Sequence, residues 1–278
     1  MKPVDFDYAR PGDVTAALKL IADDGVTAKV MAGSQSLGPM LNMRLVQPDL
    51  IVDITGIEEL RRFEERSDEM IIGACVTHAD IEDQRVPDVS RGALPTVASG
   101  IAYRAVRNRG TIGGSLTHAD PSADWHSILA ALGARVVLRG PSGERTIAVE
   151  DYMLGALEAD LRAGEMLVHI KVPKVSGSAR WGYYKSCRKT GEFAHAIGCF
   201  LHDADRGVSR AVIGATESKP IVMTKADGIF DALAKCSSDC VDSRAVGEIL
   251  ESAGMSDRLD RQTHIAALRR AIEQARPA

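Results

Sequence analysis

Residues 107–125 read RNRGTIGGSLTHADPSADW, and the interpretation of the whole chain starts from this stretch. It places three glycines and two aspartates between two apolar segments. Glycines lack a Cβ atom, so a ligand can approach their backbone N–H groups closely, and several inward-pointing N–H groups form a concave anion site. Thr111 and Ser115 add hydroxyl donors. The stretch therefore predicts an anion-binding glycine loop.

A second loop of similar composition, AGSQSLG over residues 32–38, follows a predicted buried strand. Two such loops suit a diphosphate, because a diphosphate has two charged groups to bind. The sequence contains neither the Walker A pattern nor the GxGxxG pattern of dinucleotide-binding folds. On residue types alone, ordinary glycine-rich turns remain the alternative.

The composition is that of a globular protein, with 278 residues, 45% hydrophobic and 26% charged. This length suggests two domains or one large domain. The net charge of -4 and the aromatic content of 4% argue against nucleic-acid binding. The N-terminus lacks a secretory apolar core, and no apolar run is long enough to span a bilayer. We therefore expect a soluble, cytoplasmic protein.

The five scattered cysteines argue for a reducing compartment. The chain has no Cys-x-x-Cys pair, so neither a structural zinc nor an iron–sulfur cluster has the ligand spacing that it needs. Cys236 and Cys240 are interpreted as helix-packing residues. The histidines suggest no metal triad, and we predict no metal site.

The apolar patterns predict an α+β chain whose first fifty residues form a compact lobe with parallel strands. A helix capped by Asp13 ends at Gly25, and Thr77 with Asp80 predicts a capping box. Further helices are predicted at residues 94–101 and 122–132 and from residue 226 onward. The predicted strands are residues 6–8, 29–32, 50–53, 60–63, 70–73, 135–138, 145–148, 166–172, 181–186, 194–202 and 208–215.

The two loops, followed by HADPSAD at residues 118–124, resemble the FAD-binding subunit of the molybdenum hydroxylases. That family includes the medium subunit of aerobic carbon monoxide dehydrogenase and the flavin domain of xanthine dehydrogenase. The resemblance covers essentially the whole chain. It implies a two-lobed FAD-binding PCMH-type domain over residues 1–176, with lobes at about 1–56 and 57–176. A small C-terminal domain of antiparallel sheet backed by helices, of the CO-dehydrogenase-flavoprotein type, then covers residues 177–278.

The resemblance also implies that the two loops hold the FAD diphosphate from opposite sides. It places Asp124 on the FAD sugar, whereas a plainer interpretation makes Asp124 a helix N-cap. Lys185 matches a lysine close to the flavin ring, or else it is a solvated strand lysine. The cofactor-binding residues expected on this basis are Val30, Met31, Ala32, Gly33, Ser34, Gln35, Ser36, Leu37, Ile101, Thr111, Gly113, Gly114, Ser115, His118, Asp124, Leu167, Lys185 and Phe193.

Glu192 and Phe193 stand where carbon monoxide dehydrogenase carries an aspartate and a tyrosine near the ring. A phenylalanine can pack on the flavin but has no hydroxyl to donate. Two hypotheses for Phe193 therefore stay open, namely gating of the flavin ring and plain core packing. His118 contacts either the cofactor or an adjoining subunit.

The function implied by the resemblance is electron transfer through bound FAD, with no catalytic residue of the chain's own. A large molybdopterin-binding subunit would oxidise the substrate, and a small subunit with two [2Fe–2S] clusters would pass the electrons on, in a dimer of heterotrimers. The substrate and the external acceptor stay open. A free-standing PCMH-type flavoprotein oxidase or reductase, and a nucleotide-binding scaffold without redox turnover, are the alternatives.

Overall fold

The computed structural model describes residues 2–224 and 241–276, which contain both helices and sheets. The described strands are β1 (Asp7–Ala9), β2 (Ala28–Met31), β3 (Leu50–Asp53), β4 (Phe63–Glu65), β5 (Glu69–Gly73), β6 (Arg135–Gly140), β7 (Gly143–Ala148), β8 (Met153–Gly155), β9 (Glu158–Ala159), β10 (Met166–Pro173), β11 (Arg180–Ser186), β12 (Ala196–Asp203), β13 (Val208–Gly214) and β14 (Ile221–Thr224). The described α-helices are α1 (Val14–Ile21), α2 (Leu37–Asn42), α3 (His78–Glu82), α4 (Ala93–Ser99), α5 (Arg104–Arg107), α6 (Ile112–His118), α7 (Asp124–Leu132), α8 (Val149–Tyr152), α9 (Ser243–Ser252) and α10 (Arg258–Gln274).

The N-terminal part contains a parallel three-stranded sheet in the order β1-β3-β2, which confirms the predicted parallel lobe. Asp13 caps α1, because its carboxylate accepts a hydrogen bond from the Ala16 amide at 2.7 Å. The helix ends at Ile21 rather than at Gly25, so the predicted end was four residues late. The carboxyl ends of β2 and β3 lie at one edge of the sheet, and the first glycine loop leaves from this edge.

The next part is a five-stranded antiparallel sheet in the order β4-β5-β10-β6-β7. The strands predicted at 135–138 and 145–148 are confirmed as β6 and β7, which pair as a hairpin. The predicted strand at 60–63 was wrong over its first residues, where Glu59–Arg61 forms a 3-10 helix. Leu60 is fully buried there, and its carbonyl accepts a hydrogen bond from Cys75 at 2.7 Å. Packing of Leu60 therefore prevails over the local strand pattern.

The C-terminal part is an antiparallel sheet in the order β11-β12-β13-β14, backed by α9 and α10. The strands predicted at 181–186, 194–202 and 208–215 are confirmed, whereas β14 was missed. The first part of the helix predicted from residue 226, together with Cys236 and Cys240, falls within residues 225–240, which lie outside the described residues. Beyond them, α9 and α10 are helical as expected.

Helix α7 joins the two antiparallel sheets, because all nine of its residues are buried. It packs against β10 of the first sheet and against β12 and β13 of the second. Its Trp125 is among the largest fully buried side chains of the described chain. One hydrophobic core therefore runs continuously across residue 176, and the predicted domain boundary at that position stays a prediction.

Candidate functional site

The first glycine loop presents a row of unpaired backbone donors at the end of β2. Within residues 2–224 and 241–276, the N–H groups of residues 33–37 donate to no acceptor. The loop is shaped by Ser34, whose φ of 60° lies in the left-handed region, and by the Gln35 side-chain amide, which donates to the Gly33 carbonyl at 3.0 Å. Five consecutive free amides at one turn are a donor set of the kind that binds anions.

The second glycine stretch is a helix N-terminus rather than an open loop. The Thr111 hydroxyl caps α6 by accepting from the Gly114 amide at 3.1 Å. The amides of Ile112 and Gly113 donate to the carbonyls of Val76 and Ala74, both at 3.0 Å. Tertiary and capping bonds thus use the amides of residues 112–114, and the contact of this stretch with a cofactor stays a prediction. The hydroxyl groups of Thr111 and Ser115 remain available as donors.

The two stretches contact each other directly through their backbones. A Cβ atom added to Gly33 would lie 1.9 Å from the Arg109 carbonyl oxygen and 2.8 Å from the Gly110 Cα. A Cβ atom added to Gly114, which is exposed, would lie 3.9 Å from the Cβ of Ala32. The structure thus brings together the two loops that the sequence paired, with the free amides of residues 33–37 beside the start of α6.

A buried hydrogen-bonded pair, Trp125 and His78, supports the second glycine stretch. The Trp125 indole N–H donates to Nδ1 of His78 at 3.0 Å, and the His78 amide donates to the Gly110 carbonyl at 2.9 Å. Burial, together with the nearby charge of Arg107, lowers the pKa of His78 to about 4, so the ring is neutral at neutral pH. Sequence reasoning missed this role. The buried indole required a partner, but nothing local identified it.

Stability is expected to fall as the pH drops from about 6.5 toward 4, because burial also lowers the pKa of His126 to about 4. Both histidines are neutral when folded but take up a proton near pH 6.5 when unfolded. Each then contributes a loss of about 1.4 kcal/mol per pH unit across this window. Urea unfolding at several pH values measures the slope. His126→Gln should remove roughly half of this histidine contribution, and an unchanged slope in that variant would contradict the assignment.

Asp124 and Lys185 form a nearly buried ion pair. Nζ of Lys185 lies 3.1 Å from the Asp124 carboxylate, and the Tyr183 hydroxyl donates to the same carboxylate. Burial raises the pKa of Asp124 above its usual value, whereas Lys185 and Tyr183 act in the opposite direction. Asp124 is the first residue of α7 and makes no capping bond, so the N-cap interpretation was wrong. Lys185 is not a solvated strand lysine.

A third contact brings Ile101 to the segment that carries Phe193. Ile101 forms a bridge with Gly191, and a Cβ atom added to Gly191 would lie 2.4 Å from the Ala102 carbonyl oxygen. Phe193 itself is 69% exposed, which excludes plain core packing. The exposed ring projects from a backbone that is fixed against residues 101 and 102.

The remaining predicted site residues are distributed as follows. Leu167 is 3% exposed and lies in the main core, and its place beside the flavin stays a prediction. His118 is the last residue of α6 and is half-buried. Val30 and Met31 belong to β2, Leu37 opens α2, and Ser36 is exposed beside it.

The described residues contain no group of three or more His, Cys, Asp or Glu side chains that could hold a metal ion. Cys75, Cys187 and Cys199 are free thiols, and the first and last of these are buried. Among the helices at residues 2–224 and 241–276, none is long and apolar enough to cross a membrane.

Comparisons with known proteins identify the family of this chain. The family model described as "FAD binding domain in molybdopterin dehydrogenase" matches residues 4–175. The carbon monoxide dehydrogenase medium chain of Hydrogenophaga pseudoflava is 35% identical over 84% of this chain and 82% of its own. The nicotine 6-hydroxylase medium subunit of Paenarthrobacter nicotinovorans is 35% identical over 79% of this chain and 77% of its own.

The solved structures include the reconstituted carbon monoxide dehydrogenase from Oligotropha carboxidovorans, which superimposes with a TM-score of 0.88 and 27% identity. That match covers 99% of both chains, and it confirms the α+β, PCMH-type fold predicted for this sequence. The chain therefore belongs to the family of FAD-binding domains of molybdopterin dehydrogenases, which are FAD-dependent oxidoreductases.

Proposed function

We propose that this chain is the FAD-binding electron-transfer subunit of a heteromeric molybdenum hydroxylase. The observation that carries the proposal is the row of free amides at residues 33–37, in a loop that contacts the second glycine stretch at Arg109 and Gly110. A diphosphate is the anion that such a row fits, because it brings two charged groups to adjacent donors. The chain belongs to a family of FAD-binding domains, and the free amides of residues 33–37 fit the diphosphate of that cofactor.

The roles of the individual residues follow from their positions. The amides of residues 33–37 hold the diphosphate, and the hydroxyls of Thr111 and Ser115 add donors from the opposite loop. Ile101 offers an apolar contact to the ring system, and His118 lies at the far end of α6. The carboxylate of Asp124 is 7% exposed, so a sugar hydroxyl reaches it only at its open edge.

Bound FAD would supply the redox chemistry, accepting electrons and releasing them to an external acceptor. The chain's own residues bind and orient the cofactor. The relatives are named as medium chains of a carbon monoxide dehydrogenase and a nicotine hydroxylase. By analogy, we place the molybdenum cofactor in a large partner subunit and two [2Fe–2S] clusters in a small one, within a dimer of heterotrimers. The free thiols fit a cytoplasmic location.

Purification of the native complex tests this function. We expect FAD, molybdenum and iron to co-purify with three different polypeptides, and we expect the flavin absorbance to bleach when a substrate reduces the complex. A protein that purifies alone with FAD and oxidises a substrate without partners would instead be a free-standing flavoprotein. A colourless protein that binds nucleotides without redox turnover would support the scaffold alternative.

Phe193→Ala is expected to change the flavin absorbance spectrum and the rate of flavin reduction while leaving the fold intact. The ring is 69% exposed, so its removal leaves no core cavity and costs less than about 1 kcal/mol of stability. Stopped-flow reduction of the FAD-loaded protein measures the rate. If both the spectrum and the rate match those of the wild type, the gating hypothesis is wrong.

A further inference from the structure

The opposite charges of Asp124 and Lys185 neutralise each other at a site that little water reaches. The two side chains are only 7% and 10% exposed, so bulk water screens the pair weakly. At 3.1 Å, each charge offsets most of the field that the other produces at a distance. Lys185 therefore presents far less positive charge to its surroundings than an isolated buried lysine would.

Tyr183 and Cys199, which lie near the pair, add no charge to it. The Tyr183 hydroxyl donates to Asp124 and favours the ionised carboxylate. Burial raises the pKa of Tyr183 and of Cys199 well above their ordinary values, so both remain neutral. The cluster formed by Tyr183, Asp124 and Lys185 thus carries no net charge while the ion pair is intact.

The chain connects the pair to both groups of proposed cofactor residues. Asp124 is adjacent in sequence to Trp125, which supports the second glycine stretch through His78. Lys185 lies near the end of β11, and the chain beyond this strand continues to Gly191, which contacts Ile101. In the proposed function a sugar hydroxyl of FAD reaches the open edge of the Asp124 carboxylate, which would place this cluster beside the cofactor.

We propose that Asp124 tunes the reduction potential of the bound flavin by neutralising Lys185, and that Tyr183 is the positioning residue of that carboxylate. The proposal rests on the proposed function and adds a determinant of its redox behaviour. Two electrons and one proton convert the neutral oxidised ring to its reduced monoanion. A nearby positive charge favours that product and raises the potential, so the ion pair holds the potential down.

A charge cycle on the FAD-loaded full chain tests this proposal. The midpoint potential is measured by redox titration against a reference dye, with dithionite as the electron donor. Asp124→Asn should favour the reduced form at least tenfold, which is about 30 mV for a two-electron couple. Asp124→Asn combined with Lys185→Met restores neutrality and should return the potential to near the wild-type value. Lys185→Met alone should not raise it.

Tyr183→Phe provides a second, milder variant, and it should shift the potential in the same direction as Asp124→Asn but by less. The proposal is overturned if Asp124→Asn and Tyr183→Phe leave the potential unchanged, or if the double variant keeps the full shift of Asp124→Asn. Should Asp124→Asn not fold, Tyr183→Phe alone decides between a raised and an unchanged potential. The FAD content of the wild-type chain is measured in parallel, and its absence would refute the proposed function rather than the role of Asp124.

Discussion

Gly33→Ala is expected to weaken FAD binding about 100-fold, because the loss of two charge-assisted hydrogen bonds at about 1.5 kcal/mol each corresponds to that factor. The added Cβ atom would lie 1.9 Å from the Arg109 carbonyl oxygen, and this atom belongs to the backbone and cannot rotate away. The two glycine stretches must therefore separate. Their separation misaligns the amides of residues 33–37 with the hydroxyls of Thr111 and Ser115. Fluorescence titration of the apoprotein with FAD measures the affinity.

Gly12→Ala is the matched control for this substitution. It lies in the same N-terminal part of the chain, and a Cβ atom added there meets nothing within 4 Å. Its FAD affinity and melting temperature should equal those of the wild type. Circular dichroism separates a local change in Gly33→Ala from unfolding. If Gly33→Ala binds FAD normally, the contact between the two loops has no role in cofactor binding.

Trp125→Ala is expected to reduce the free energy of unfolding by about 3–5 kcal/mol. Trp125 is fully buried where α7 meets both antiparallel sheets, so truncation leaves a large cavity in the shared core. It also removes the indole donor from Nδ1 of His78, the residue whose backbone amide donates to the Gly110 carbonyl. Urea unfolding of the apoprotein measures the change.

Trp125→Phe separates the two contributions to that loss. The phenyl ring fills much of the space but cannot donate, which leaves the His78 nitrogen unpaired at a cost of about 1–3 kcal/mol. FAD affinity should fall with it, because the support beneath Gly110 is loosened. A destabilisation below about 1 kcal/mol for Trp125→Ala would show that α7 does not join the two sheets as described.

Local chemistry accounts for the elements that could be predicted from the sequence. The capping box of Thr77 and Asp80 is present as expected, since its bonds join residues only three positions apart. Gly133 ends α7 with a φ of 72°, which a glycine adopts without strain. The hairpins with short turns, such as β6 and β7, were equally predictable.

The second glycine stretch was misread because its conformation is decided by distant residues. Three consecutive residues, Ile112, Gly113 and Gly114, include two poor helix formers, so local propensity favours a loop. The helix forms because the carbonyls of Ala74 and Val76 accept two amides. Its close contact with Ala74 requires a glycine, because a Cβ atom at Gly113 would lie 2.6 Å from the Ala74 Cβ. Gly113 therefore serves packing, and the free amides belong to the first loop.

The hydrogen-bond partners of the buried polar groups could not be predicted from the sequence either. Asp124 meets residues about sixty positions away, and His78 meets Trp125 across 47 positions. Only the family resemblance placed Asp124 and Lys185 in one site, and it assigned them to the cofactor rather than to each other. Their contact changes the expected electrostatics, because a paired lysine is a weaker cation toward the flavin than a free one.

The central claim is that the amides of residues 33–37 bind the diphosphate of FAD, and a comparison of ligands tests it most directly. The apoprotein is titrated with FAD and with riboflavin, which has the same ring but no phosphate. We predict that FAD binds at least about 100-fold more tightly, since even two charge-assisted bonds supply about 3 kcal/mol. Equal affinities for FAD and riboflavin would contradict the account.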